Sequence, residues 1–111
     1  MNMACIHLIV SLVVVLFSLP LIFGKVKMNG IYGIRIPESF RSEARWYQIN
    51  RFGGILFLLW GLAIGILGGI GISLSSSQWS KYNLVSGVII VGGLVLITIA
   101  IFVYAACTRK D

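Results

Sequence analysis

Few side chains in this sequence could do acid–base, nucleophilic or metal chemistry. His7 is the lone histidine, Glu43 lies far along the chain in a basic stretch, and Cys5 and Cys107 stand at opposite ends. Nucleophilic catalysis needs a nucleophile with a base in hydrogen-bond reach, and a metal needs several closely spaced ligands. The cysteines form neither a CxxC pair nor part of a His-rich cluster, so no metal, redox centre or cofactor is expected. No catalytic residue and no enzyme is expected either. Polar and aromatic residues do recur in one stretch, where Arg35, Pro37, Glu43, Trp46 and Arg51 crowd into seventeen residues. On a helix, Glu43, Tyr47, Asn50 and Gly54 would share one face, at i, i+4, i+7 and i+11, with Trp46 on its border. Such a set suits bracing or partner binding, and Glu43 is expected to pair with Arg35 or Arg51.

The elements that must position this cluster are set by hydropathy. The chain has 111 residues, 59% of them hydrophobic and 11% charged, against about 25% charged in soluble domains. Its mean hydropathy is +1.00. A soluble protein of this size could not bury so much apolar surface, whereas a bilayer can take it. Three runs without formal charge stand out, at residues 4–23, 53–74 and 84–107. A helix rising about 1.5 Å per residue crosses a hydrocarbon core of about 30 Å in about 20 residues. The expected fold is therefore all-α. It is an integral membrane three-helix bundle, one domain over 1–111, with a loop at 24–52 that holds a short interfacial helix. The first run is read as a retained span and not a signal peptide: its apolar stretch is too long, its n-region lacks Lys and Arg, and no A-x-A-like site follows.

Orientation follows from Lys and Arg counts. Lys25, Lys27, Arg35, Arg41, Arg45 and Arg51 lie between the first two runs, and Arg109 and Lys110 follow the third, against Lys81 alone on the other side. Eight against one places the loop and C-terminus in the cytoplasm and the N-terminus outside. The net charge of +6 thus reads as insertion topology and surface attraction to lipid, not as direct nucleic-acid binding. No Asp, Glu, Lys or Arg falls inside a run, which argues against a proton-coupled pump or ion carrier. His7 is expected to be a bystander at the outer interface. Trp79 and Tyr82, with Trp46, Tyr47 and Tyr104, are expected to be interfacial anchors.

Small residues supply candidate packing faces. The second run carries Gly61, Gly65, Gly69 and Ser73 at intervals of four. The third has Ser86, Gly93, Ala100 and Cys107 at intervals of seven, and the first has Ala4, Ser11 and Ser18 in the same way. Such stripes let backbones approach closely in lipid, within the bundle or between copies in a homo-oligomer. In the loop, Asn29-Gly30 signals a turn, and Pro37 keeps residues 31–37 extended. Ser39 is expected to cap a helix that runs through Phe52 and stops or bends at Gly53-Gly54. Arg41, Arg45 and Gln48 then face water or anionic head groups.

The stretch from Tyr32-Gly33-Ile34-Arg35-Ile36-Pro37 through Glu43 and Trp46 to Asn50-Arg51-Phe52-Gly53-Gly54 resembles the signature of the bacterial SdpI family. Arg35, Pro37, Ser39, Glu43, Trp46, Arg51 and Gly54 match that pattern. Asn50 stands where the family usually has His, which counts against a role for a titrating imidazole there. The resemblance is to the compact three-span form. It implies a multi-pass protein of the bacterial cytoplasmic membrane that gives immunity to a secreted peptide or protein toxin, or signals by holding a cytoplasmic repressor at the membrane. From a different class, Gly-rich packing faces would also suit a small accessory or structural subunit of a larger membrane complex.

Overall fold

The structure, a computed structural model, describes residues 2–109; Lys110, counted above toward orientation, lies outside them. Three long helices follow one another: α1 (Ala4–Ile22), α2 (Glu43–Ile72) and α3 (Trp79–Cys107). Each is long and apolar enough to cross a membrane, and the molecule is a rod of 56 × 24 × 18 Å. The end of α1, the loop, the start of α2 and the end of α3 gather at one pole, the loop end. Most large apolar side chains face outward, among them Leu12, Phe17, Ile66 and Leu96, as expected where lipid is the solvent.

α2 is central, and α1 lies close along it. Ser18 packs over Gly54, Ser11 over Gly61 and Gly65, and Leu8 and Ala4 over Gly68; the Ser11 hydroxyl donates to the Gly61 carbonyl at 2.7 Å. A Cβ on Gly68 would lie 2.8 Å from Leu8 and 3.1 Å from the Ala4 carbonyl. The close face thus continues through Gly68 and Gly71, whereas Gly69 meets nothing and Ser73 is exposed. The reason is helical pitch. At 3.6 residues per turn a strict step of four drifts about 40° each time, so steps of three and four must alternate to hold one face.

α3 packs on α2 less tightly. Ile49, Ile97, Ile101 and Ala105 form a buried apolar cluster, Phe52 stacks on Tyr104 with ring centroids 3.9 Å apart, and Trp60 lies over Gly93 and donates to the Ile90 carbonyl at 3.0 Å. Ser86 is buried, and Ala100 is partly buried. At the far pole His7 and Tyr82 depart from expectation. Both are buried, His7 Nδ1 and the Tyr82 hydroxyl lie 3.0 Å apart, and that hydroxyl reaches the Leu67 carbonyl at 2.7 Å. They join all three helices and are not surface anchors.

The boundaries of α2 also differ from the sequence reading. The helix runs unbroken through Gly53-Gly54 into the second span, so no separate interfacial helix precedes it. Glycine is tolerated inside membrane helices, and here it serves close approach: Ile34 sits against Gly53 and α1 against Gly54. The cap is Ser42, extended at φ −163° and ψ 164°, whose hydroxyl accepts the Arg45 N–H. Ser39 belongs instead to a 3₁₀ turn, Pro37–Phe40.

Candidate functional site

The loop forms a compact brace on the first turns of α2. α1 ends in a left-handed Gly24 at φ +68°. The Gly24 N–H bonds the Leu21 carbonyl and the Lys25 N–H the Pro20 carbonyl, the pairing of a Schellman cap. Arg51 Nε takes a further orphan carbonyl, that of Ile22, at 3.1 Å. Arg51 thus joins the end of α1 to α2. The expected turn forms next: Asn29 Oδ1 accepts the N–H groups of Ile31 and Tyr32 at 2.8 and 2.7 Å. The chain bends over residues 31–33, with Gly33 at φ +114°, and the extension expected from residue 31 is shown only at Ile36 (φ −106°, ψ 160°), where the following proline requires it.

Two side chains of α2 hold that segment. Trp46 is fully buried; its indole N–H donates to the Val26 carbonyl at 2.8 Å, and its ring lies against Phe40 and Gly33. It is therefore the core of the loop and not a lipid anchor. Asn50, 1% exposed, accepts the Ile34 N–H at 2.6 Å and donates to the Trp46 carbonyl at 2.9 Å. An amide offers a donor and an acceptor together, so this position works without titration. Ser39, also fully buried, accepts the Ile36 N–H at 3.1 Å, with the Ile34 and Ile36 carbonyls each 2.8 Å from its hydroxyl. It locks the turn that Pro37 starts.

The ionic pairing is not the one expected. Glu43 is exposed and forms no ion pair with Arg35 or Arg51 among the described residues. Arg51 is turned to α1, and Arg35 is exposed with its guanidinium on the Gly30 carbonyl. Glu43 instead occupies the first turn of α2, where a negative charge is favoured by the helix dipole. The acid at work is Glu38, 3.1 Å from both Arg41 and Arg45. Partial burial pushes its carboxyl up, but the hydrogen bond from Arg41 and the charges of Arg41, Arg45 and Arg109 outweigh it and hold the group below its ordinary range. Arg45 also donates to the Ala105 carbonyl at 2.8 Å, the Thr108 hydroxyl at 2.9 Å and Gln48 at 2.8 Å. It caps α3 and ties it to the loop, so it does not face lipid head groups as its place on the helix suggested. The sequence sign was Glu38 standing three and seven residues before Arg41 and Arg45.

Above this brace, toward mid-membrane, the loop residues Tyr32, Gly33, Ile34 and Ile36 close one end of an apolar cleft between α1 and α3, about 490 Å³ in volume. The arrangement can hold and position; it brings no nucleophile and base together. These features define a three-span helical membrane protein whose long loop is built back onto its central helix. Residues 25–105 match the SdpI/YfhL protein family, and the chain belongs to that family. The matched stretch covers the loop, α2 and nearly all of α3. No curated protein and no solved structure gives a significant match.

Proposed function

We propose that this protein acts by binding in the bacterial cytoplasmic membrane, giving immunity to a secreted antimicrobial toxin or signalling through a partner held at the membrane. The observation that carries this reading is the family match over residues 25–105; within it Ser39 and Trp46, with Asn50 in the position where the family usually has His, are buried in one brace. A brace that fixes three helices suits a binder better than a catalyst. The loop end faces the cytoplasm in this reading, supported by seven described Lys and Arg at that pole against Lys81 at the other.

The test is loss and complementation. Cells lacking the gene are exposed to the toxin secreted by its genomic neighbourhood, then given this chain alone. Restored survival, lost again with Asn50→Ala at unchanged membrane abundance, supports immunity. Unaltered sensitivity and unaltered transcription of neighbouring genes would sink it. A second reading, an accessory subunit, is favoured by Gly69, Gly87 and Gly92, which meet nothing within 4 Å and leave room for another helix. Co-purification in fixed stoichiometry with other spans would select it.

A further inference from the structure

α1 and α3 meet at the far pole through His7 and Tyr82, but at the loop end the cleft parts them. Its walls include Val13, Phe17, Trp60, Thr98 and Phe102. The three hydroxyls on its lining are already engaged by backbone: Ser18 with the Val15 carbonyl, Thr98 with Leu94 and Tyr32 with Phe17. A ligand inside therefore finds mostly hydrocarbon walls and no free hydroxyl donor. The volume suits a small ligand, whereas a helix about 10 Å across would fill it within little more than one turn.

The mouth is different. Ile36 and Phe102 also line a neighbouring groove with Pro37, Ala105 and Ala106, where Arg109 and Glu38 stand. Arg35, between Ile34 and Ile36 in sequence, is exposed and keeps its guanidinium on the Gly30 carbonyl, away from the groove lining. The whole pole is basic, since residues 24–52 carry six Lys and Arg against Glu38 and Glu43. An apolar slot opening beneath a cationic rim complements a molecule with a hydrocarbon tail and an anionic head.

We propose that the cleft is a binding site for an anionic phospholipid of the leaflet on the loop side, one acyl chain lying between α1 and α3 and the phosphate at the basic loop-end pole beside Arg109. Bound there, the lipid fills the gap that the helices leave and completes the bundle. This site does not depend on the immunity reading, and either can fail alone.

Trp60 on the cleft wall reports occupancy. Trp46 is fully buried and Trp79 lies at the other pole, where Trp79→Phe removes its signal. This variant is reconstituted in phosphatidylcholine bilayers containing chain-brominated phosphatidylglycerol or chain-brominated phosphatidylcholine at equal mole fraction, and Trp60 quenching is measured. The anionic lipid is expected to be preferred about fivefold, the factor of about 1 kcal/mol for one basic side chain at an anionic head group. The preference should fall with Arg109→Gln, and with added salt on the unsubstituted rim. Thr98→Phe, filling the cleft from an exposed position, should abolish it. Equal quenching by the two lipids overturns the proposal, as does quenching that disappears when the protein is concentrated in the bilayer, which would mean that a second copy occupies the cleft.

Discussion

The Asn50 carboxamide serves two backbone groups at once, accepting the Ile34 N–H and donating its own N–H to the Trp46 carbonyl. Asn50→Ala leaves the partly buried Ile34 amide without its partner, a loss of about 1–3 kcal/mol. Asn50→Asp keeps the acceptor but loses the donor and buries a charge, so it should be at least as harmful. Thermal unfolding in detergent, followed by Trp fluorescence, checks both, and an unchanged midpoint for Asn50→Ala would refute the clamp. Gly33 is bound to the same spot. Its φ of +114° is closed to most side chains, and a Cβ would stand 2.8 Å from Asn50 Oδ1 and 2.9 Å from the Trp46 ring. Gly33→Ala should therefore cost about 1–3 kcal/mol for the backbone alone and release the Trp46 ring to water, seen as a red shift in emission. The motif residues were legible as a cluster because their types are unusual in so apolar a chain. Their partners were not, because most of these bonds go to backbone groups, and side-chain identity says little about which carbonyl is near.

Between elements, two contacts decide the bundle. Against α1, Gly68 and Gly69 make a matched pair of tests, adjacent in sequence and opposite in environment. Gly68→Leu drives a side chain into Leu8 and the Ala4 carbonyl, while Gly69→Leu points into open space. The first should part α1 from α2 and lower thermal stability strongly, and the second should leave it nearly unchanged. Equal effects would show that α1 packs elsewhere. At the loop end, Glu38 and Arg45 tie the 3₁₀ turn to the end of α3. The Glu38 carboxyl is held low in the folded state. Its contribution is therefore present above the ordinary carboxylate value and is lost as pH falls through the lower folded value. Acidification below the ordinary carboxylate range should expose the Thr108 end of α3 to protease in the native chain, and Glu38→Gln should show that exposure already at neutral pH. The spans and the pre-proline extension could be read in advance because hydropathy and proline sterics act locally. The bond from Arg45 to the Ala105 carbonyl joins residues sixty apart, and no local rule reveals it. Likewise, the stripe through Gly69 and Ser73 followed sequence spacing, whereas packing followed the helix pitch.

At the scale of the molecule, the unequal lengths of the helices bear on orientation. α2 has 30 residues, about 45 Å at 1.5 Å per residue, against a hydrocarbon core of about 30 Å. The excess of about ten residues falls at the loop end, because Glu43 to Phe52 carry Arg45 and Arg51, which do not enter hydrocarbon cheaply. The bundle thus stands with one pole protruding, and the basic residues of loop and tail are brought together there by the fold itself, Arg45 reaching across to Thr108. The positive-inside rule favours keeping such a pole in the cytoplasm, the side given to it in the proposed function. A reporter active only outside the membrane, placed after Arg109, should therefore be silent, and the same reporter inserted in the short turn Ser76–Gln78 should be active. The reverse pattern would put the basic pole outside and remove the cytoplasmic placement of the brace. It would leave the bundle intact, since the packing of α1, α2 and α3 is the same whichever way the rod is inserted.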